Sequence, residues 1–148
     1  MIKLRNFTNA DISLLKKCKY EDETNREIQE KIKLWNSKNV DGKYYEMFAI
    51  VDNDMPVGMI SLYQHTQSVI SCGPEIFEEY RGKGYGTQAV GMAIDVAKKK
   101  GYKIVVAQIR KDNEKSIMLH QRLGFELDHE YINKRGNEVG FYIKYIGE

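Results

Sequence analysis

Arg81-Gly82-Lys83-Gly84-Tyr85-Gly86-Thr87 sets three glycines at alternate positions beside two cations, and it leads into the longest amphipathic helical pattern of the chain, Thr87–Lys100. Glycine lets a backbone turn sharply and approach an anion closely, while the unbonded N–H groups of a helix's first turn lie at its positive end. Such a helix-end interaction contributes roughly 0.3–2 kcal/mol, and Arg81 and Lys83 would add direct charge. Taken alone, the heptad is either a solvated surface turn or a phosphate cradle. Its neighbours decide between them.

Upstream, a strand runs from about Ser68 to Phe77 and carries Gly73-Pro74. Proline cannot donate to a ladder and glycine marks bends or close backbone approach, so the pair predicts a bulge or an edge just before the loop. Residues 44–51 and 56–63 are rich in aromatic and β-branched types and flank Asp52-Asn53-Asp54-Met55, which reads as a hairpin. Before them, Ile2, Leu4 and Asn6 alternate as a strand, and Thr8-Asn9-Ala10-Asp11 has the capping spacing of a helix over about 9–20. The acidic run Glu21-Asp22-Glu23 precedes a second helix marked by Ile28, Ile32 and Trp35.

Downstream, Ala89, Val90, Ala93, Ile94 and Ala97 share one face of the loop helix, which ends in three lysines and stops at Gly101. Ile104–Ile109 is a short buried strand. Asp112 or Asn113 then caps a helix carrying Ile117, Leu119 and Leu123 that closes at Gly124. Strands over about 126–133 and 138–146 flank the turn Lys134-Arg135-Gly136-Asn137. The order is β-α-α-β-β-β-α-β-α-β-β. A strand–helix–strand step around the glycine loop implies two parallel strands, and the hairpins imply antiparallel ones. The expectation is a mixed α/β (α+β) fold: a mostly antiparallel central sheet with helices on both faces.

A chain of 148 residues without repeats or linkers suits a single domain spanning 1–148. Its 23 basic and 21 acidic residues are too balanced for nucleic acid to be the main partner. Cys18 and Cys72 lack CxxC spacing, and His65, His120 and His129 are scattered, which argues against a disulfide framework and any metal site and for reduced thiols. No apolar run approaches the ~20 residues of a membrane span, and no signal-peptide core follows the N-terminus. A cytoplasmic protein with no membrane partner is expected.

Three phosphate-binding patterns compete for the heptad. A P-loop needs G-x-x-x-x-G-K-[ST], which is absent. A dinucleotide turn could use Gly84-x-Gly86-x-x-Ala89, but it should open the first βαβ unit and be followed by an acidic ribose ligand, where Gln108 and Arg110 stand. The third pattern fits. Arg81-x-x-Gly84-x-Gly86, after an interrupted strand and before a helix, resembles the acetyl-CoA pyrophosphate signature of the GNAT superfamily of N-acetyltransferases. Asn113-x-x-Ser116-x-x-Leu119-His120-x-x-Leu123-Gly124-Phe125 is similar to that family's Asn-x-x-Ser/Ala-x-x-Leu-Tyr-x-x-x-Gly-Phe, with histidine in place of tyrosine. The likeness extends from the opening strand to the closing hairpin.

This resemblance implies the GNAT fold, with a splayed parallel strand pair and about four helices, and acetyl-CoA as co-substrate. Backbone groups of Gly82, Lys83, Gly84, Tyr85, Gly86 and Thr87 would hold the pyrophosphate with Arg81. Glu75, Ile76 and Phe77 would meet the pantetheine arm strand-fashion, and Asn113 with Ser116 would complete the donor site. An N–H near Ile76 would face the thioester carbonyl, and His120 would stand where the family places its tyrosine acid. Relatives place a base where this chain has Gln108 or Ser68, and neither can serve. Glu75 is the nearest carboxylate; deprotonation through water is the stronger expectation. The acceptor, an amine of a small molecule or a protein, would meet Trp35, Tyr131, Tyr142 and Glu21-Asp22-Glu23, and a homodimer is possible by family analogy. A non-catalytic acyl-CoA-binding module is the alternative, because the tyrosine and base are both replaced.

Overall fold

A computed structural model describes residues 2–147. Strand β1 (Ile2–Asn6) leads into a 3-10 turn (Asn9–Asp11) and helix α1 (Ile12–Cys18). Helix α2 (Asn25–Ser37) and a two-residue strand, β2 (Asn39–Val40), precede the long strands β3 (Lys43–Asp52) and β4 (Met55–Gln64). Then come β5 (Val69–Ile76), a 3-10 turn (Glu78–Tyr80), α3 (Tyr85–Lys99), β6 (Ile104–Arg110), α4 (Glu114–Arg122), β7 (Glu126–Ile132) and β8 (Glu138–Tyr145). The first expected helix is split because the capping box of Thr8 and Asp11 closes a 3-10 turn before the α-helix begins. A second capping box, Thr24 with Glu27, starts α2; a cap of this kind contributes about 1 kcal/mol.

The sheet runs β1-β3-β4-β5-β6-β8-β7, with β2 paired to β3. Every described pairing is antiparallel except β5 with β6. Alternation along β3 divides the core. Phe48 and Ile50 pack with Ala89, Val90, Ala93 and Ala97 of α3, with α4 on the same side. Ala49 and Val51 pack on the opposite face with Leu15 of α1 and Ile28, Ile32 and Trp35 of α2. Side chains one apart in a strand point to opposite faces, so one β-strand pattern specifies both layers.

The parallel pair is short. It spans only Val69↔Ile104, Ile70↔Val105 and Ser71↔Val106, and beyond these residues β6 diverges from β5. On its other edge β5 stays paired with β4 in unbroken register from Gln64↔Ile70 to Gly58↔Ile76. Gly73-Pro74 therefore marks an open edge and no bulge. The bulge lies one strand away, where β3 meets β4: Ile50 pairs Gly58 and Val51 pairs Pro56, leaving Val57 extra.

Gly58 is held against β5 more closely than any side chain permits. A Cβ there would lie 2.5 Å from the Glu75 carbonyl oxygen and 3.0 Å from Ile76 Cα, both of them backbone atoms. Gly58→Ala must push β5 away from β4, and we expect it to lower unfolding free energy by about 2 kcal/mol or more. Urea unfolding with an unchanged m-value checks this, and a midpoint equal to that of the native chain would contradict the contact.

Candidate active site

Where β5 and β6 separate, a cleft of about 710 Å³ opens, walled by Pro74, Glu75 and Ile76 of β5, by the loop before α3, and by Asn113, Ser116 and Leu119 at α4. Its backbone chemistry follows from the strand register. Phe77 N donates to Val57 O at 2.9 Å, so residues 57 and 77 form a hydrogen-bonded antiparallel pair, and alternation makes Gly58/Ile76 and Ile60/Pro74 non-bonded pairs. The N–H and C=O of Ile76 and the C=O of Pro74 thus turn away from β4 into the splay. Pro74 fits there because the donor it lacks would have faced the open edge. The Ile76 carbonyl accepts from Arg81 Nε at 3.0 Å. Its N–H is left as a donor directed into the cleft.

The glycine loop supplies the anion end. Gly82 and Gly84 have φ of +80° and +83°, the left-handed region, and a Cβ at either would meet nothing within 4 Å. Glycine is needed there for backbone conformation and to leave the loop's outer face open. Gly84 is the N-cap of α3 and provides no side-chain cap, so the first-turn N–H groups of Tyr85, Gly86 and Thr87 remain available at the positive helix end. Starting at Tyr85, the helix begins two residues before the position its apolar periodicity suggests. The Tyr85 hydroxyl donates to Asp52 at 2.5 Å, which fastens this end of α3 to β3. At Gly86 a Cβ would lie 2.9 Å from Leu119 Cδ1, so α3 and α4 approach closely beside the loop.

Of the residues expected from sequence, Glu75, Ile76, Arg81, Gly82, Gly84, Tyr85, Gly86, Thr87, Asn113 and Ser116 line this one cleft. Lys83 stands outside its wall, with Nζ 5.9 Å from the Tyr80 ring centroid. Phe77 differs from expectation: its side chain is 2% exposed in the α1/α2 core and its N–H is bonded to Val57. Asn113 caps α4 through Ser116 N at 3.3 Å. Two further cations, Lys115 and Arg122, line the cleft. Their spacing of seven puts them on one face of α4, the sequence signal by which they could be found.

His120 departs most from expectation. Its side chain is 1% exposed, lies outside the cleft wall and packs edge-on to Phe125 at 4.9 Å. Nδ1–H donates to the Ser116 carbonyl at 2.7 Å, because a carbonyl oxygen can only accept. In the neutral ring Nε2 is then a bare lone pair, buried without a hydrogen-bond partner among the described residues. Burial holds the pKa of His120 below its ordinary value against the opposing pull of the Ser116 carbonyl. In that neutral state the nitrogen opposite Ser116 carries no proton.

The expected acceptor-side residues divide. Trp35 and Tyr142 are 7% and 6% exposed and belong to the two cores. Tyr131, half-buried, donates its hydroxyl to Gln108 Oε1. Glu21, Asp22 and Glu23 border a small hollow with Cys18, Lys19 and Tyr20. Glu75 is ion-paired with Lys19, and Tyr20 is pushed up to about 12 by burial and by the charges of Glu75 and Glu23. Among the described residues no group of three or more potential ligands could hold a metal ion, and no helix is long and apolar enough to cross a membrane.

A family model described as an acetyltransferase (GNAT) domain matches residues 2–126. N-alpha-acetyltransferase 30 of Schizosaccharomyces pombe is 30% identical over 107 residues, covering 66% of this chain and 70% of that protein. The L-methionine sulfoximine/L-methionine sulfone acetyltransferase of Pseudomonas aeruginosa is 44% identical over 50 residues, and the match spans 29% of its length. Among solved structures, a putative acetyltransferase from Salmonella typhimurium with its cofactor acetyl-CoA superposes with a TM-score of 0.78 at 17% identity, covering 100% of this chain and 95% of that one. That structural likeness shows the fold.

The low pKa of His120, joined by that of His65, has a consequence for stability. The unfolded chain takes up these protons first, so their contribution is complete above about pH 6.5 and is lost as pH falls through the folded values. The melting temperature should decline from about pH 6.5 toward pH 5, and His120→Phe should flatten that decline. An unchanged slope in the variant would place the loss elsewhere.

Proposed function

Because the chain belongs to the GNAT acetyltransferase family, we propose that it transfers an acetyl group from acetyl-CoA to a primary amine of a small molecule or of a protein by direct attack on the thioester. The observation that carries this reading is the convergence of the Ile76 N–H and the uncapped start of α3 on one cleft. The residues fit the co-substrate. Three phosphates need cations and N–H donors, and Arg81, Lys115, Arg122 and the first turn of α3 border the same space. The open faces of Gly82 and Gly84 leave room for an anion against the backbone. When bound, acetyl-CoA supplies the activated acyl group.

Each remaining part of the reaction falls to the chain itself. Ile76 N–H is a fixed donor on a paired strand, placed to meet negative charge developing on the thioester oxygen; removing one such preorganised donor typically costs about 2.7–4 kcal/mol of barrier. The guanidinium of Arg81 holds the Ile76 carbonyl, in the peptide that follows the one bearing this N–H. An alkyl amine with pKa near 10 arrives mostly protonated and must lose a proton before attack. Glu75, on the lip of the cleft, and water take that proton. The leaving thiolate, with an ordinary thiol pKa near 8.5, collects its proton from solvent. His120 acts as a packing residue: its bond to the Ser116 carbonyl one turn back and its edge-on contact with Phe125 fix the last turn of α4. The cysteines Cys18 and Cys72 are not paired with each other, which suits a cytosolic setting.

Acetyl-CoA at about a hundred times its Kd should stabilise the folded chain by about 2.7 kcal/mol, a rise of roughly 5–10 °C in melting temperature for a chain of this size. Gly84→Leu should abolish the shift, since it forces a side chain onto a left-handed residue and over the anion site. Release of free thiol that depends on an added amine separates the enzyme from a module that only binds acyl-CoA. Tight binding with no turnover across primary amines would favour the module.

A further inference from the structure

Glu75 and Lys19 meet across 56 residues of sequence at the front lip of the cleft, on the α1/α2 face. The donor cleft is bounded by α3 and α4 on the opposite face, so Glu75 stands on the side from which an acceptor must arrive. Its partner is chemically informative. The Lys19 side chain ends in a primary alkylammonium, the same group that an acceptor amine carries in water, and it lies on the Glu75 carboxylate one residue from the Ile76 N–H. Lys19 terminates α1: its own N–H and that of Tyr20 both bond to the Leu15 carbonyl at 3.0 Å. The backbone is thereby fixed while the four-carbon stem stays free to swing.

Lys19 is also the replaceable cation of this neighbourhood. Lys16 reaches the carbonyls of Glu21 and Glu23, and Lys31 pairs with Glu23 at 3.1 Å, so both are tied to the α1–α2 turn. Of these three lysines, Lys19 is the one that crosses to the cleft. The side chains of Lys19 and Glu75 are 28% and 42% exposed, and an ion pair so open to water holds with little net stabilisation. An incoming ammonium can exchange for it at small cost. The Tyr20 ring lies beside the exchange point, with Lys19 Nζ 5.7 Å from its centroid.

We propose that Lys19 is a specificity-determining gate of the acceptor half-site: its ammonium occupies the Glu75 carboxylate that a cationic amine acceptor must engage, and the acceptor enters by displacing it. This rests on the acetyl-transfer reading and adds to it the acceptor's charge and its point of recognition.

The test compares the native chain with Lys19→Met, which keeps the stem and removes the charge. Carbon-detected NMR of the Glu75 side-chain carboxyl, titrated with propylamine at about pH 7 where that amine is almost wholly protonated, should show a midpoint about three- to tenfold lower in Lys19→Met. The difference should shrink in high salt. With the best amine found in turnover assays, KM for the amine should fall by a similar factor while KM for acetyl-CoA stays put, and adding Glu75→Gln should erase the gain. Equal midpoints in the two proteins, or an effect confined to the KM of acetyl-CoA, would overturn the gate. The titration needs no turnover, so an absence of amine acetylation would count against the transfer reading alone.

Discussion

Two parallel strands that stay paired for only three residues govern this molecule. A strand edge buried without partners is costly, because each orphaned backbone group loses its bonds to water. In this fold the edge is left open instead, and the chain manages it group by group. Pro74 removes one donor outright, Arg81 covers one acceptor, and β4 keeps the far side of β5 in register. The N–H of Ile76 and the C=O of Pro74 are left facing the splay, presented from a strand held in register by β4, with no room for a side chain at Gly58 behind it. Rigidity on one edge is what makes the vacancy on the other chemically useful.

The same alternation separates the tasks by face. Along β5 the side chain of Glu75 points to the α1/α2 face, whereas the N–H of its neighbour Ile76 points along the sheet into the splay. Helices α3 and α4 bring cations and uncapped N–H groups to the donor side, and α1 brings Lys19 and Tyr20 to the other. The close approach of α3 to α4 at Gly86 holds the anion end of the cleft near the Asn113 cap. In the proposed reaction donor binding would rest on backbone geometry, which tolerates few substitutions, and the acceptor side on exchangeable side-chain charge.

Much of this was legible in the residues. Apolar periodicity located α2, α3 and α4, the capping spacing of Thr8 and Asp11 located the first helical stretch, and aromatic and β-branched composition located the long strands. Gly82 and Gly84 announced the loop since no other residue adopts positive φ so readily. Other features were legible only in kind. Gly73-Pro74 signals an unpaired edge, but proline cannot say whether the neighbouring strand slips or departs; here it departs, and the slip falls at Val57 beside the other proline, Pro56. Trp35 and Tyr142 are aromatic in the right elements, yet strand and helix phase turn them into the cores. The pairing of Lys19 with Glu75 could not be read at all, since nothing local links the end of α1 to β5.

His120 shows why a motif position does not carry its role with it. A tyrosine hydroxyl at this place has one rotatable proton and no competing local acceptor built into its ring. A histidine has two nitrogens, and the helix offers Nδ1 a carbonyl one turn back, at Ser116, which captures its proton. Once that bond forms, the far nitrogen can donate only if the ring becomes cationic, and a side chain 1% exposed resists the charge. His120 is thus held as a buried, neutral ring whose one proton is spent within its own helix. Protonating the leaving thiolate is in any case the least demanding step of acetyl transfer, because an ordinary thiol has a pKa near 8.5.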